Sequence, residues 1–494
     1  MKKCFMLLIF LTQIAVFGQS VKNTTKRTID QKLDYFLKLA DSLRIKTNTQ
    51  GVGMAIVYDG KIIYQGGIGY RDAVEKKPVT KNTLFAIGSV TKPMTGIIAS
   101  KLVEKGLLDW NTPIKKYYPE FAVADSYVTK NATMIDLFTH TTGVGRYELM
   151  YYQNSLITRD EILSKLPLLE SKSSFRQQYG YNNFMYLVAG VVEEKVSGKK
   201  WENLVKEELF NPLKMETSFT GFKDFMEYKE RSNGYKPDGI TEVDYQNIDI
   251  IAPAGSISST PHDMALWIKM LANKGAVDNT DFLNENQFNY VTGPHAPFKP
   301  THSISTSIGW IMGFQNGKKW IQKEGAIDGF RSKVTIVPEK KFGIVIMTNN
   351  WSNYISLIND YATEIFDEDN HVRNYELEKS LEYKEEKKKR IISKKQIPLL
   401  HETDEYIGKY QDKTYGNITI SKKNKKLHFE FNDFESKMEH IGFNNFKVKL
   451  KISGYNEVYK LHFHTAINGE IDAIEINLES KMPISIFKKI KKPH

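Results

Sequence analysis

The sequence predicts an α+β fold: an antiparallel sheet with an inserted helical lobe, followed by a small all-β barrel domain. Strand-like segments with strong turn signals occur at both ends of residues 51–348, and the segment between them has mostly helical periodicity. Short alternating strands return after Pro398. A sheet assembled from two chain ends around a helical insertion buries these segments together. At 494 residues the chain exceeds the usual size of one hydrophobic core, so we expect two domains.

The first twenty residues have the layout of a secretory signal peptide. Lys2 and Lys3 precede an apolar stretch from Cys4 to Phe17, which is shorter than the roughly 20 residues of a spanning helix. A buried N-terminal helix or a retained anchor is the alternative. We therefore expect export, a periplasmic or extracellular location after cleavage, and no integral membrane segment in the mature protein. Cys4 is the only cysteine, so the mature chain would hold no disulfide and no thiolate nucleophile.

The formal net charge of +11 raises the question of a nucleic-acid partner. The basic residues are dispersed or lie in one helix-like run, and no recognition motif accompanies them. A solvated surface, or weak attraction to anionic envelope polymers, explains the charge better. We expect no nucleic-acid partner.

The first predicted elements are a hairpin and a helix. Residues 53–58 and 61–64 flank Asp59-Gly60, a strong two-residue turn signal. Helical periodicity begins near Ser89, and Gly106 is placed to end that helix. The apolar residues of this helix fall on one face, which predicts an amphipathic helix: Val90, Met94, Ile97, Ile98, Leu102 and Val103.

Strand signals return after a mostly helical middle that extends to about residue 275. Residues 307–314 and 318–323 bracket Asn316-Gly317, another hairpin turn, and residues 333–338 and 343–348 form a further pair. Tyr354–Phe366 is predicted to be a helix.

The C-terminal part has a different pattern. Residues 375–396 are rich in Glu and Lys, which is typical of a solvated linker. Beyond it, short alternating strands are predicted at 417–421, 426–431, 446–452, 458–464 and 471–478, a pattern typical of a small barrel or sandwich. We therefore divide the chain into a signal peptide (1–20), a main domain (21–372), a charged linker (373–400) and a barrel domain (401–494), and expect the two domains to be separable.

Serine is the candidate nucleophile, and it needs an adjacent base and an oxyanion hole. The pattern G-x-S-x-G is absent, whereas S-x-x-K occurs at Ser89, Ser197 and Ser485. Ser485 lies in a strand-like run, where residues three apart face opposite sides, and Ser197 lies in a helix-ending turn. Only Ser89 opens a helix, so Lys92 returns over the same face one turn later. Taken alone, this tetrad is more simply a helix cap with a surface lysine.

Two downstream motifs support Ser89. Y-x-N occurs at Tyr181, just before an apolar helix, and K-x-G occurs at Lys323, at the end of a predicted strand. In this order the motifs resemble those of the serine β-lactamase and penicillin-binding-protein superfamily. Because S-D-N is absent, the chain is most similar to the branch of class C β-lactamases, D-aminopeptidases, DD-peptidases and esterases. The resemblance covers about residues 30–370, and residues 400–494 resemble the lipocalin-like barrel that often follows this domain.

The resemblance implies a role for each motif residue. Ser89 is the nucleophile, Lys92 helps to deprotonate it, and Tyr181 is the general base. Asn183 holds the amide or acyl side chain of the substrate, and Lys323 favours the phenolate of Tyr181. Singly, Tyr181 could equally be a core tyrosine and Lys323 a surface lysine.

The strand after Lys323 is implied to bind substrate through Glu324, Gly325 and Ala326, with the N–H groups of Ser89 and Ala326 as the oxyanion hole. Glu324 departs from the family's K-T-G, because a carboxylate replaces the hydroxyl that contacts a substrate carboxylate. In one interpretation it points to solvent or pairs with Lys323. If it faces the pocket, charge repulsion disfavours anionic acyl donors.

Histidines offer weaker candidates. His462 and His464 share one face of a predicted strand, but the pattern supplies no third metal ligand. His140 is expected to order the loop beside the site. We expect no metal, nucleotide or other cofactor.

The sequence therefore predicts a serine hydrolase that acts through an acyl-enzyme on amide, ester or lactam substrates. D-peptidase or carboxylesterase activity is favoured over efficient β-lactamase activity, and the partner is a small-molecule or peptide substrate. The alternative is a penicillin-binding or wall-peptide sensor module that acylates without turnover. A burst followed by steady turnover distinguishes the two.

Overall fold

The structure, a computed structural model, describes residues 27–278, 280–299, 303–366, 398–452, 455–479 and 482–490. The predicted signal peptide and nearly all of the predicted linker lie outside these ranges. Within them, no helix combines the length and the apolar character needed to cross a bilayer.

The described helices and strands follow in chain order. The helices are α1 Ile29–Lys46, α2 Thr91–Glu104, α3 Ser126–Asn131, α4 Met134–Phe138, α5 Arg159–Lys165, α6 Asn183–Ser197, α7 Trp201–Val205, α8 Asn211–Leu213, α9 Phe222–Glu227, α10 Ala252–Gly255, α11 Pro261–Ala272, α12 Glu285–Thr292 and α13 Tyr354–Phe366. The strands are β1 Gly51–Tyr58, β2 Lys61–Asp72, β3 Lys77–Pro78, β4 Phe85–Ala86, β5 Gly234–Tyr235, β6 Glu242–Val243, β7 Ser258–Ser259, β8 Ala276–Val277, β9 Thr280–Asp281, β10 Ala296–Pro297, β11 Ile304–Thr306, β12 Ile311–Gln315, β13 Lys318–Ile327, β14 Phe330–Val337, β15 Phe342–Thr348, β16 Gly408–Asp412, β17 Gly416–Lys423, β18 Lys426–Phe431, β19 Phe434–Lys437, β20 Glu439–Gly442, β21 Asn445–Ile452, β22 Tyr455–Thr465, β23 Ile471–Ile476 and β24 Ser485–Lys489.

The main sheet joins the two ends of the main domain, as predicted. Its order is β10-β11-β12-β13-β14-β15-β1-β2-β3, and β1 pairs antiparallel with both β2 and β15. Helices α1 and α13 pack together and bury an apolar cluster against β1 and β15. The helical segments between β3 and β10 form the inserted lobe on the other side. The predicted α+β class and the helix Tyr354–Phe366 are confirmed.

The two predicted hairpins form, and one predicted strand is broken. Asp59-Gly60 and Asn316-Gly317 all have positive φ, which matches the tight turns that join antiparallel strands. The predicted strand 307–314 is wrong in part, because the chain leaves the sheet between β11 and β12. Gly309 has φ +82°, and a Cβ there would lie 2.7 Å from the backbone of Pro93. The close approach of α2 imposes this break.

Helix α2 is not amphipathic, contrary to the expectation. Eleven of its fourteen residues are buried, because α6, α10 and α12 pack around it. It ends at Glu104, and Gly106 follows with φ +71°, as predicted. A buried central helix gives the residues at its start fixed positions, and Lys92 is among its fully buried side chains.

The C-terminal strands form a nearly closed all-β barrel in the order β19-β18-β17-β16-β24-β23-β22-β21-β20. The predicted strands are present with small changes at their ends, whereas β16, β19 and β20 were not predicted. The two edge strands, β19 and β20, are consecutive in the chain. Ser436 of β19 also accepts a hydrogen bond from the Lys449 N–H of β21, so the sheet curls almost onto itself.

The barrel packs directly on the main domain. Buried apolar residues of both form one continuous cluster, in which the ring of Tyr147 lies 5.5 Å from that of Tyr415. The separability of the two domains stays a prediction. The barrel meets the main domain at residues 145–155, a loop next to the predicted catalytic residues.

Candidate active site

Ser89 lies in a single 3₁₀ turn, Gly88–Val90, that leads into α2. This turn packs tightly on β13: a Cβ on Gly88 would lie 2.9 Å from the Ala326 nitrogen, and Gly88 has φ +51°. The Ser332 hydroxyl donates a hydrogen bond to the Ile87 carbonyl (2.6 Å), which ties the turn to β14 as well. The N–H groups predicted for the oxyanion hole, on Ser89 and Ala326, therefore belong to adjoining segments.

Three predicted catalytic side chains meet at one point. The hydroxyls of Ser89 and Tyr181 are 2.5 Å apart, and Lys92 Nζ is 3.2 Å from Ser89 Oγ. Lys92 reaches Ser89 because the 3₁₀ turn of Ser89 continues directly into α2, where Lys92 lies about one turn later. Tyr181 directly precedes α6, where Asn182 caps the helix by accepting a hydrogen bond from the Met185 N–H.

Lys92 is held so that its amine can act as a base. It donates to Asn183 Oδ1 and to the Ala254 carbonyl, both at 2.7 Å. Burial and the nearby charge of Lys323 lower its pKa well below 10.5. Its third contact is with Ser89 Oγ (3.2 Å), the group from which the amine in its neutral form can accept a proton.

The surroundings of Tyr181 act on its phenolate in opposite ways. Burial raises its pKa well above 10, against the smaller effect of the hydrogen bond with Ser89. Lys323 Nζ does lie 5.5 Å from the Tyr181 ring centre, and burial lowers the Lys323 pKa to about 8. Burial therefore opposes the phenolate of Tyr181 and the ammonium of Lys92, the two groups that contact the Ser89 hydroxyl.

Asn183 makes contacts that the resemblance did not imply. Its amide nitrogen donates to Glu148 Oε1 (2.8 Å) and to the Tyr151 hydroxyl (3.0 Å), while its oxygen accepts from Lys92. Both amide hydrogens are thus engaged within the protein. Asn183 links Lys92 to the loop that contains Glu148 and Tyr151.

The Glu324 carboxylate does not pair with Lys323, and it does not point only to solvent. Its carboxylate forms ion pairs with Arg331 (3.2 Å) and Lys333 (3.1 Å), and its side chain is 46% exposed. The sheet register explains this pairing, since Glu324 lies opposite Lys333 on β14, and Arg331 is the diagonal neighbour.

Gly325 permits the close contact between β13 and the turn that contains Ser89. A Cβ at this position would lie 2.0 Å from the Ile87 oxygen and 2.4 Å from Ser332 Oγ. A side chain here would therefore push the strand away from the turn.

Sequence reasoning missed Arg146, Glu148 and Tyr151. Arg146 lies over the Tyr181 ring (5.1 Å to its centre) and forms an ion pair with Glu148 (2.6 Å). The available signal was a charged pair within an aromatic run, residues 146–152. Such a pair indicates a polar network at a partly buried site.

The histidines have local structural contacts. His140 is buried with a pKa well below 6.5, because burial disfavours its charged form, and its Nδ1 accepts from the Asn182 N–H (3.1 Å). His462 contacts Asn445, and His464 pairs with Glu475. No group of three or more His, Cys, Asp or Glu in the described ranges could hold a metal ion.

Ser89 and Tyr181 open into a cavity of about 1000 Å³ between the two domains. The main domain contributes the catalytic residues, the 146–152 loop and the end of β13. The barrel contributes one wall, lined by Ile452, Glu457, Val458, Tyr459, Lys460, Asn477, Leu478 and Glu479.

Comparisons with known proteins agree with this architecture. The family model described as Beta-lactamase matches residues 26–361, and a domain of unknown function, DUF3471, matches residues 393–486. The likeness of the barrel to lipocalins stays a prediction. The octameric penicillin-binding protein homologue from Pyrococcus abyssi shares the fold, with a TM-score of 0.58, 18% identity, and coverage of 92% of this chain and 100% of that one.

Curated relatives include hydrolases. An unguisins hydrolase from Aspergillus campestris is 26% identical over 325 residues, which cover 62% of this chain and 59% of that protein. A β-lactamase from Escherichia coli K12 is 27% identical over 342 residues, covering 61% and 85%. The chain thus spans less than two thirds of the fungal relative's length. The Beta-lactamase family model covers more than half of this chain. The chain therefore belongs to the β-lactamase family.

Proposed function

We propose that this protein is a serine hydrolase that forms an acyl-enzyme at Ser89. The observation that carries the proposal is the Ser89 hydroxyl, which lies within hydrogen-bonding distance of both Lys92 Nζ and the Tyr181 hydroxyl at the base of a cavity. The hydrolase names of the relatives support the same reaction class.

In acylation, neutral Lys92 accepts the Ser89 proton while Ser89 Oγ bonds to the substrate carbonyl carbon. The oxyanion that forms accepts hydrogen bonds from the N–H groups of Ser89 and Ala326. The bond to the leaving group then breaks, and the Tyr181 hydroxyl gives this group its proton and is reprotonated from Lys92. In the second half-reaction Lys92 accepts a proton from the water that attacks the acyl carbon, the bond between this carbon and Ser89 Oγ breaks, and the proton passes to Ser89.

The substrate class we propose is esters and amides without a carboxylate beside the acyl carbon. Glu324 lines the cavity and already occupies Arg331 and Lys333, the cations of β14 nearest to it. A substrate carboxylate would therefore compete with Glu324 for these two cations.

Mass spectrometry and p-nitrophenyl ester turnover test the proposed function. Ser89→Ala should abolish labelling by a fluorophosphonate and reduce turnover at least a thousandfold, as expected for loss of a nucleophile. The matched control is Ser197→Ala, which alters another S-x-x-K serine at the end of α6 and should behave like wild type. Labelling that persists in Ser89→Ala would refute the assignment.

Stoichiometric labelling without steady turnover would favour the second candidate, a sensor module that is acylated once. In that case the burst would equal the enzyme concentration and no later product would form.

A further inference from the structure

The barrel holds both backbone polar groups of one residue in the active-site loop. The Leu149 N–H donates to Glu479 Oε1 (3.1 Å), and the Leu149 carbonyl accepts from Asn432 Nδ2 (2.7 Å). Leu149 itself is buried. Two barrel side chains therefore fix the orientation of this peptide segment from outside the main domain.

Leu149 is the neighbour of residues that orient the Lys92 amine. Glu148, immediately before it, accepts a hydrogen bond from the Asn183 amide nitrogen (2.8 Å), and Tyr151 accepts the second one. These two contacts turn the Asn183 oxygen towards Lys92 Nζ (2.7 Å). A continuous series of hydrogen bonds and one peptide segment thus connects the barrel to Lys92, the proposed base.

The loop has little structure of its own that could hold this geometry. Tyr147 adopts a left-handed backbone conformation (φ 43°), and Glu148–Met150 is a single 3₁₀ turn. Isolated turns of this kind are weak because few hydrogen bonds offset the ordering of the chain. Main-domain contacts hold the start of the loop, where Asn182 Nδ2 donates to the carbonyls of Val144 (3.0 Å) and Gly145 (2.7 Å), whereas the contacts at Leu149 come from the barrel.

Glu479 makes further contacts where the barrel meets the loop that contains Leu149. Its Oε1 also accepts from the Tyr415 hydroxyl (3.2 Å), and the Tyr415 ring packs on that of Tyr147. Burial raises the pKa of Glu479 to about 7, so removing this carboxylate from water costs free energy that its hydrogen bonds offset. A residue that served only to keep the barrel soluble would lie in water instead.

We propose that Asn432 and Glu479 are positioning residues for Lys92, and that the barrel thereby forms a working part of the catalytic centre. The inference rests on the proposed acylation at Ser89. It assigns the barrel a role beyond lining the cavity, since a wall changes substrate binding whereas a positioned base changes the rate of acylation.

The test is stopped-flow acylation of the full-length protein by a p-nitrophenyl ester. Asn432→Ala and Glu479→Ala should each lower the acylation rate constant about tenfold, the effect of losing one hydrogen bond that orients a reacting group, with KM changed less than twofold. Glu479→Gln keeps an acceptor oxygen and should recover most of the rate.

The matched control is Asp433→Ala. Asp433 is next to Asn432 and holds the Ser155 N–H (2.8 Å) and hydroxyl (2.9 Å), so its loss removes a barrel contact without releasing Leu149. It should acylate like wild type. Hydrogen exchange at the Leu149 N–H should accelerate in Glu479→Ala and stay slow in Asp433→Ala.

Three results would overturn the positioning role. Wild-type acylation by both Asn432→Ala and Glu479→Ala would exclude it, as would a rise in KM at an unchanged acylation rate, which would make the barrel a binding wall only. An equal loss in Asp433→Ala would point to general docking. If Glu479→Ala fails to fold, Asn432→Ala carries the same test, and turnover by Ser89→Ala would refute the proposed function instead.

Discussion

At the scale of single residues, burial shifts the pKa values of Lys92 and Tyr181 in opposite directions. It disfavours the ammonium of Lys92 and the phenolate of Tyr181, so it lowers the pKa of Lys92 and raises that of Tyr181. A neutral amine and a neutral phenol can accept and donate a proton, respectively. This division of roles could not be read from the motifs, because burial depends on residues distant in the chain.

Loss of the Lys323 charge should shift the pH dependence of the reaction. Lys323, with a pKa of about 8, is charged at neutral pH and lowers the pKa of Lys92. In Lys323→Met the Lys92 pKa rises, less of the amine is neutral at a given pH, and the acidic limb of kcat/KM moves to higher pH. Lys319→Met is the control, because Lys319 on the same strand contacts Thr292 instead and should leave the limb in place. An unmoved limb in Lys323→Met would contradict the base assignment.

Removal of the Glu324 carboxylate should favour anionic substrates. In Glu324→Thr, Arg331 and Lys333 lose their partner and can attract a substrate carboxylate. Charges about 4 Å apart at a partly solvated site interact by about 1–4 kcal/mol, and exposure of Glu324 favours the lower end, or about tenfold in specificity. The measured quantity is the ratio of kcat/KM for nitrocefin to that for a neutral ester. Efficient nitrocefin hydrolysis by wild type, or an unchanged ratio, would refute this substrate argument.

At the scale of elements, the contact between β13 and the turn of Ser89 leaves no room for a side chain at Gly325. Gly325→Ala places a Cβ 2.0 Å from the Ile87 oxygen, so the strand must move. We expect a loss of about 1–3 kcal/mol in the free energy of unfolding and a large loss of activity, since Ser89 and Ala326 separate. Urea unfolding and ester turnover measure both.

Gly317→Ala provides the comparison for Gly325→Ala. Gly317, unlike Gly325, has positive φ (+73°), and no atom lies within 4 Å of its added Cβ. Gly317→Ala should lower the free energy of unfolding by about 1 kcal/mol through backbone strain and leave turnover unchanged. Equal activity of the two variants would show that the tight packing of β13 is not needed for catalysis.

Local patterns predicted some elements correctly and others not, for a physical reason. Asp59-Gly60 and Asn316-Gly317 specify their turns through their own backbone preferences, so the hairpins were predictable. The break at Gly309 and the full burial of α2 arise from packing between distant segments. An apolar face shows that a helix is buried on one side, but it does not reveal a second layer over its polar residues.

At the scale of the whole molecule, the motifs predicted Ser89, Lys92 and Tyr181 as neighbours but not what holds them. Asn432 and Glu479 lie more than 280 residues from Leu149 in the chain. No local pattern marks such residues, because an asparagine in a barrel turn and a glutamate after a strand are ordinary features of a sequence. Their role becomes visible only when the barrel is packed on the loop.

The packed interface should keep the two domains together without a covalent link. We expect that a protease site introduced into residues 372–395 and then cut leaves both parts in one peak on size-exclusion chromatography, with ester turnover retained. The shared apolar cluster and the Leu149 contacts provide the association. Cleaved protein in urea, where the parts separate, is the control. Separate elution without denaturant would show that the interface is too weak to act alone.

The position of β1 inside the main sheet has a consequence for the nascent chain during synthesis. Its partner β15 is the last strand of the main sheet to be made, and the residues between them take about 15–60 s to translate. Until then the hairpin of β1 and β2 presents an open edge with apolar side chains, among them Val52, Met54 and Ile56. We therefore expect the growing chain to be a client of chaperones that hold extended apolar segments apart until synthesis of the main domain is complete.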